Sequence, residues 1–360
     1  RVHVRIFEKG SITCPGFPHN EHIVKPYHIT NMCAQEMGVL YSRQEDFVNW
    51  IDTHRSELNT RFPSFQSEFH DPAFHLNACS HYPRALMGEY LKARFQEAVE
   101  LAQKMGLAVR LYPGSEVVDL RQKSGKICLS IKDLLSENDF SSDADRVLLA
   151  TGHWARKNNQ DGYFTSPWPA KKLLRNIPEG AKVAVIGTSL SAIETLLTLT
   201  SEGKYIRFRT GELVYEPPEN SRRFFLYSRR GLIPKVRGKI GNYTNRFLNR
   251  ENLDHLLSEN RGNLKLDAVF NLLNSELEDA YGHPIDWEEI VNPTGKPVDL
   301  LQGYLDDAIN GDGPHGELIW QTVLHQSFDM VRDVYLNLTI EDRKRFDKNY
   351  TSVFFSHAAT

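Results

Sequence analysis

The four cysteines of this chain, Cys14, Cys33, Cys79 and Cys128, include no C-x-x-C pair. That excludes a zinc ribbon and a redox dithiol, and it points to a reducing, cytoplasmic compartment. No apolar run approaches the roughly 20 residues that span a bilayer. An excess of one charge is also missing: 43 Lys and Arg stand against 46 Asp and Glu, a net charge of −3. Nothing electrostatic therefore argues for nucleic acid or an acidic membrane as a partner. The H-E-x-x-H pattern of catalytic zinc helices is absent. His19, His22 and His28, in "HNEHIVKPYH", accordingly read as polar loop histidines with no metal expected. No repeat occurs at solenoid periods.

What is present suits a globular chain. Its 360 residues are 40% hydrophobic and 11% aromatic, enough to fill the cores of two domains. The first strand runs from Val2 to Phe7 and ends at Glu8. Helical spacing predicts a helix over 44–59, and another in "RALMGEYLKARFQEAVELAQKMG", with Gly106 as its C-cap. Strands are expected at "LAVRLYP", "SEVVDLRQ" and "KICLSIKDL", the last two joined by a turn at Ser124-Gly125, and a buried strand at "DADRVLLATGHW". A second strand–helix–strand unit starts at Lys182 and closes with "RRFFLYSRRG", the intervening surplus near 203–221 leaving the sheet and returning. From about 240 to 330 the pattern is helical and polar.

Three stretches carry chemistry. A strand that ends in an acid, as "HVRIFEKG" does at Glu8, is the form in which a carboxylate accepts hydrogen bonds from adenosine ribose hydroxyls. The Ala-Thr-Gly of "ADRVLLATGHW" offers backbone N–H groups and a small residue to a cofactor. "VAVIGTSLSAIE" opens a strand-to-helix turn on Gly187, but Ser189 stands where a second glycine admits the pyrophosphate, and Ala192 where a third packs helix on strand. The next strand delivers Ser228, Arg229 and Arg230, and guanidinium groups suit a ribose 2′-phosphate rather than the acid that an NAD site places there.

In this order, "HVRIFEKG", "HYPRALMGEYL", "EVVDLRQ", "ADRVLLATGHW", "VAVIGTSLSAIE", "YSRRGLIPKV" and "LTIEDRKRFDKNY" resemble the FAD/NAD(P)-binding flavoproteins with two dinucleotide-binding domains, close to class B flavin monooxygenases and N-hydroxylases. The resemblance implies an α/β fold in which an FAD-binding Rossmann-like domain (1–165) is interrupted by an NAD(P)-binding one with a helical extension (166–330), and 331–360 return towards the first. It implies that Glu8 meets the FAD ribose, Val117 the adenine through its backbone, and Thr151 and Gly152 the FAD phosphates, with Asn31 near the flavin. It places Gly187, Ser189, Ala192, Ser228, Arg229 and Arg230 around NADP(H). The implied function is an FAD- and NADPH-dependent, monooxygenase-like oxidoreductase acting on a small molecule. The alternative is a non-catalytic dinucleotide-binding or sensor protein.

The sequence departs from that family in two places. The first strand and G-x-G-x-x-G turn that open such chains have no counterpart here, so the chain is expected to be incomplete at both ends. The F-x-G-x-x-x-H signature of flavin monooxygenases is also absent, since no Phe is followed two residues later by Gly. A disulfide reductase would need the missing cysteine pair. A methyltransferase would give Arg229 and Arg230 no role.

Overall fold

The structure, a computed structural model, describes residues 2–11, 13–61, 81–136, 138–152, 160–207 and 213–358. It is mixed α/β. Contacts divide the chain into two units, one formed by 1–182 with 194–223 and the other by 183–193 with 224–360.

In the first unit the alternating residues of β1 (His3–Glu8) pair in parallel with β2 (Ala108–Pro113), His3 opposite Ala108 and Glu8 opposite Pro113. A parallel pair needs a long crossover. Here it contains α1 (Asp46–Arg61) and α2 (Arg84–Lys104). Phe47, Trp50 and Ile51 of α1 pack with Leu86 and Tyr90 of α2 in the core of this unit. A buried polar knot fixes the packing: Tyr90 Oη donates to Asp46 at 2.7 Å, and Arg94 holds the same carboxylate through Nε at 2.7 Å and Nη2 at 3.1 Å. Burial opposes the Asp46 charge, but these bonds outweigh it and keep the carboxyl below its ordinary range. After α2, the strands β3 (Ser115–Lys123), β4 (Lys126–Asp133) and β5 (Asp139–Ala144) form an antiparallel sheet.

The strand expected at "DADRVLLATGHW" is not there. Only its first residues belong to β5, and 146–152 follow without regular structure, Leu148 91% and Leu149 67% exposed. His153 and Trp154, like Cys79, lie outside the described residues. An apolar run becomes a strand only where another backbone edge accepts it, and among the described residues none pairs with 146–152.

After the short α3 (Ala170–Asn176), the second βαβ arrangement runs through β6 (Lys182–Ile186), α4 (Leu190–Thr200) and β9 (Arg223–Tyr227). The surplus of sequence before β9 forms its own antiparallel pair, β7 (Lys204–Arg207) with β8 (Leu213–Glu216). The buried Arg222 guanidinium donates twice to Ile177 O (3.1 and 2.8 Å), once to Leu199 O near the C-terminus of α4 (3.0 Å), and to Glu202 (2.7 Å). A cation at helix C-terminal carbonyls is favourable by charge as well as by hydrogen bonding.

In the second unit, α5 (Arg250–Glu259), α6 (Leu266–Tyr281), α7 (Trp287–Val291), α8 (Pro297–Asn310), α9 (Ile319–Gln326), α10 (Phe328–Asn337), α11 (Ile340–Asn349) and α12 (Thr351–Ala358) succeed one another. Their core gathers Leu253, Leu264, Leu266, Met330 and Leu338. The fully buried Glu276 accepts from Tyr243 Oη (2.6 Å) and from the backbone N–H groups of Arg246, Phe247 and Leu248 (3.0, 2.6 and 2.7 Å), so its charge is fully hydrogen-bonded.

Removing the Arg222 side chain leaves two buried carbonyls without donors. Arg222→Ala should lower stability by about 2–4 kcal/mol, read as a shifted urea midpoint. A change within experimental error would show that the four bonds are not what fixes the unit.

Candidate functional site

Glu8 ends β1. One of its carboxylate oxygens accepts from the Gly10 N–H at 2.7 Å, which curls the chain over the strand end. Gly114 N–H then donates to Gly10 O at 2.9 Å, and Lys9 pairs with Glu116 at 2.6 Å. Behind the turn, the Phe7 and Tyr112 rings stack with centroids 4.9 Å apart. These contacts bring Glu8 and Val117 into one neighbourhood, Val117 standing just before the register shift between Val117 and Asp119, where a bulge re-aims a strand. Thr151 and Gly152 lie on the exposed segment beyond β5, Gly152 at φ 66 with open space beside it. Asn31 is exposed on a segment strapped to the start of α2, where Thr30 N–H donates to Tyr82 O and Arg84 N–H to His28 O, each at 2.8 Å.

A second group forms around the β6–α4 turn. Arg223 N–H donates to Ala181 O at 2.9 Å and Gly187 N–H to Tyr227 O at 2.7 Å. Both bonds fit one parallel register, in which Gly187 stands opposite Ser228. The Thr188 hydroxyl donates to Leu232 O, and the Ser228 hydroxyl reaches the same carbonyl at 3.4 Å. Gly187 has φ 108, a conformation that L side chains rarely adopt, and no heavy atom lies within 4 Å of where its Cβ would stand. Ser189 is exposed, while Ala192 is buried on the packed side of α4. Arg229 and Arg230 are exposed beside this turn, and among the described residues neither makes an ion pair.

The structure also shows a polar cluster that reading the sequence passed over. His28 is fully buried, not a solvated loop histidine. Lys25 N–H donates to His28 Nδ1 at 3.1 Å, so Nε2 carries the proton and donates to Thr198 Oγ1 at 3.0 Å. Burial pushes His28 down to about 4; a hydrogen bond to the Glu194 backbone opposes it, and the charges of Arg84 and then Lys25 add smaller depressions. Glu194, one helical turn before Thr198, pairs with Arg84 at 2.7 Å. Its other oxygen, Oε2, is buried without a partner. Burial raises the Glu194 carboxyl, and Arg84 offsets part of that. Arg84 also donates from Nε to Ile29 O at 3.0 Å and lies 5.6 Å from the centre of the Trp168 ring. The loop carrying His19 closes on α2 at Gly88, where a Cβ would stand 2.1 Å from His19 O. The sequence carried no signal for this cluster, because Ser191, Glu194, Thr195 and Thr198 recur at i, i+3, i+4 and i+7 and read as the solvated polar face of a helix. Among the described residues no group of three His, Cys, Asp or Glu side chains is placed to hold a metal, and no helix is long and apolar enough to cross a membrane.

Residues 1–154 match the family model described as FAD-NAD(P)-binding. This stretch is an FAD/NAD(P)-binding region. Over 385 aligned residues the chain is 23% identical to the uncharacterized protein YdhS of Escherichia coli K12, covering 99% of this chain and 67% of that one. Among solved structures it is similar to the ornithine N-hydroxylase KtzI of Kutzneria sp. 744, held there with reduced FAD, NADP+ and L-ornithine, at 14% identity and a TM-score of 0.36. That match covers 77% of this chain, which spans 62% of the hydroxylase. A likeness this loose carries no argument about chemistry.

Burial of a neutral His28 has a pH consequence. Unfolded histidine takes up a proton below about 6.5, whereas the folded ring resists until about 4. The stability it contributes is therefore present above pH 6.5 and lost as pH falls towards 4. Between pH 7 and 5 the wild type should lose about 2 kcal/mol more than His28→Gln, measured by urea midpoints at both pH values. Equal losses in the two proteins would show that His28 is not the group responsible.

Proposed function

We propose that the chain belongs to an FAD- and NADPH-dependent oxidoreductase of monooxygenase-like type that acts on a small molecule. The observation that carries this reading is the parallel register that sets Gly187 opposite Ser228, so that one strand end presents a glycine turn, a helix N-terminus and two exposed arginines. The residues present fit the groups they would hold. At Glu8 one carboxylate oxygen is engaged by Gly10, which leaves the other to accept from ribose hydroxyls. Val117 would meet the adenine through its backbone. Thr151 and Gly152 would face the FAD phosphates, the open space beside Gly152 admitting a close approach, and Asn31 would lie near the flavin.

At the second strand end the open space beside Gly187 would admit a pyrophosphate, and the first amides of α4 would offer it the positive end of the helix dipole. Ser189 would add a hydroxyl donor, and Ala192 is buried. Ser228, Arg229 and Arg230 would receive the 2′-phosphate, with Arg able to pair bidentately. Bound FAD supplies the two-electron acceptor for a nicotinamide hydride, and the protein's share is binding, orientation and exclusion of competing reactions.

Two measurements test this. Glu8→Ala should weaken FAD uptake by roughly 1–3 kcal/mol, the loss of a charged acceptor, as read by fluorescence titration of the apoprotein. A protein with no affinity for FAD would refute the reading outright.

Anaerobic reduction of the bound flavin, followed by absorbance, should favour NADPH over NADH by roughly tenfold to a hundredfold, the value of one charge-assisted pair. Replacing Arg229 and Arg230 together by Ala should remove that preference and leave the NADH rate. Equal rates in the wild type would remove the case for NADPH. A flavin that binds but is reduced by neither nucleotide would support the sensor reading instead.

A further inference from the structure

Helix α4 buries what a surface helix exposes. Its polar face carries Ser191, Glu194, Thr195 and Thr198, yet Glu194 and Thr198 are 7% and 0% exposed, while the apolar Ile193 is 36% exposed. Both buried groups are engaged from one place. Arg84, at the start of α2, pairs with Glu194 Oε1 at 2.7 Å, and His28 Nε2 donates to Thr198 Oγ1 at 3.0 Å. Arg84 is itself tied to the segment that carries His28, its backbone N–H donating to His28 O at 2.8 Å and its Nε to Ile29 O at 3.0 Å. The helix is therefore attached at two points one turn apart, and both attachments belong to the same strapped segment.

As devices for stability these attachments are costly. Glu194 Oε2 is buried without a partner, and burial raises the Glu194 carboxyl, an effect that Arg84 only partly offsets. A buried ion pair repays its desolvation poorly, and apolar side chains of like volume in its place often leave stability equal or higher. What an ion pair and a hydrogen bond have, and apolar contact lacks, is direction. One attachment lets a helix pivot; two, at Glu194 and Thr198, fix both its rotation and its axial position. Glu194 stands four residues, about 6 Å along the axis, from Leu190, where the helix begins. A helix N-terminus acts on an anion only within its first turn, so the axial position of α4 decides how its first amides meet a phosphate.

We infer that Arg84 and Glu194 are positioning residues for the nicotinamide nucleotide, holding α4 where its first amides meet the pyrophosphate, with His28 and Thr198 as the second attachment. The inference rests on the reading that the turn from Gly187 to Ser189 receives that nucleotide. Arg84 and Glu194 act through the helix and not by touching the ligand. The pyrophosphate is common to the NADP and NAD nucleotides, whereas Arg229 and Arg230 would see only the 2′-phosphate. A displaced α4 therefore weakens both nucleotides alike and leaves the preference between them unchanged.

Isothermal titration of the full chain, with FAD added, against NADP+ and against NAD+ tests this without turnover, and urea midpoints are measured beside it. In the double variant Arg84→Met with Glu194→Met, apolar side chains of similar length replace the pair. Its urea midpoint should stay at or above that of the wild type, while the dissociation constants for both nucleotides rise about tenfold, the value of one charge-assisted bond. Affinity then falls while stability does not, which a purely structural pair cannot produce. Should the double variant fail to fold by circular dichroism, Glu194→Asp keeps the charge but shortens its reach by one methylene, and it must weaken both nucleotides in the same proportion. A wild type that binds neither nucleotide refutes the nucleotide reading and takes the inference with it. Where the wild type does bind, undiminished affinity in the double variant or in Glu194→Asp, a loss confined to NADP+, or a loss matched by a lowered urea midpoint overturns the inference alone.

Discussion

One guanidinium holds the framework on which the βαβ unit rests. Arg222 precedes β9, and four hydrogen bonds from its guanidinium reach the carbonyl of Ile177 ahead of β6, that of Leu199 near the end of α4, and the carboxylate of Glu202. Three stretches that are distant in sequence thereby share one buried hub. A lysine would place the same charge there but not the fork of donors that two carbonyls and a carboxylate require. The next residue, Arg223, makes the first backbone bond of β9, to Ala181. The strand is thus entered in register, and five residues later Ser228 stands opposite Gly187. Anything that depends on the two strand ends meeting depends first on this anchor.

The buried polar groups divide into those that are satisfied and those that are not. Asp46 and Glu276 each accept several hydrogen bonds, and their role is to hold backbone and helices in place. His28 is satisfied only as the neutral tautomer. Glu194 and His357 each keep one buried atom unpartnered. Unsatisfied buried atoms are costly, so they are where a structure most often awaits a water, a proton or a ligand. Glu194 is already engaged by Arg84 through its other oxygen. His357 borders a space of about one water.

Local pattern and composition determined a good deal. The strand ending at Glu8, the hairpin turn at Ser124-Gly125, the helix from Arg84 and the strand–turn–helix at Gly187 all follow from alternation, helical spacing and the backbone that glycine permits, each of which acts within a few residues. The cofactor class was legible through a resemblance carried by the order of several such stretches, each a local pattern.

Tertiary structure decided the rest, because those outcomes depend on partners far away in the chain. "RVLLATG" has the composition of a buried strand, yet a strand exists only beside a second backbone edge, and composition does not carry that information. His28 sits in a polar, proline-containing loop, yet Thr198 and the Glu194–Arg84 pair close over it, 170 positions along the chain in the case of Thr198. The 41 positions between Gly187 and Ser228 make a compact unit look improbable until β7 and β8 are seen to fold as a pair of their own. Sequence alone set which backbone shapes were available. Long-range hydrogen bonding and desolvation chose where each would be buried, paired or left open.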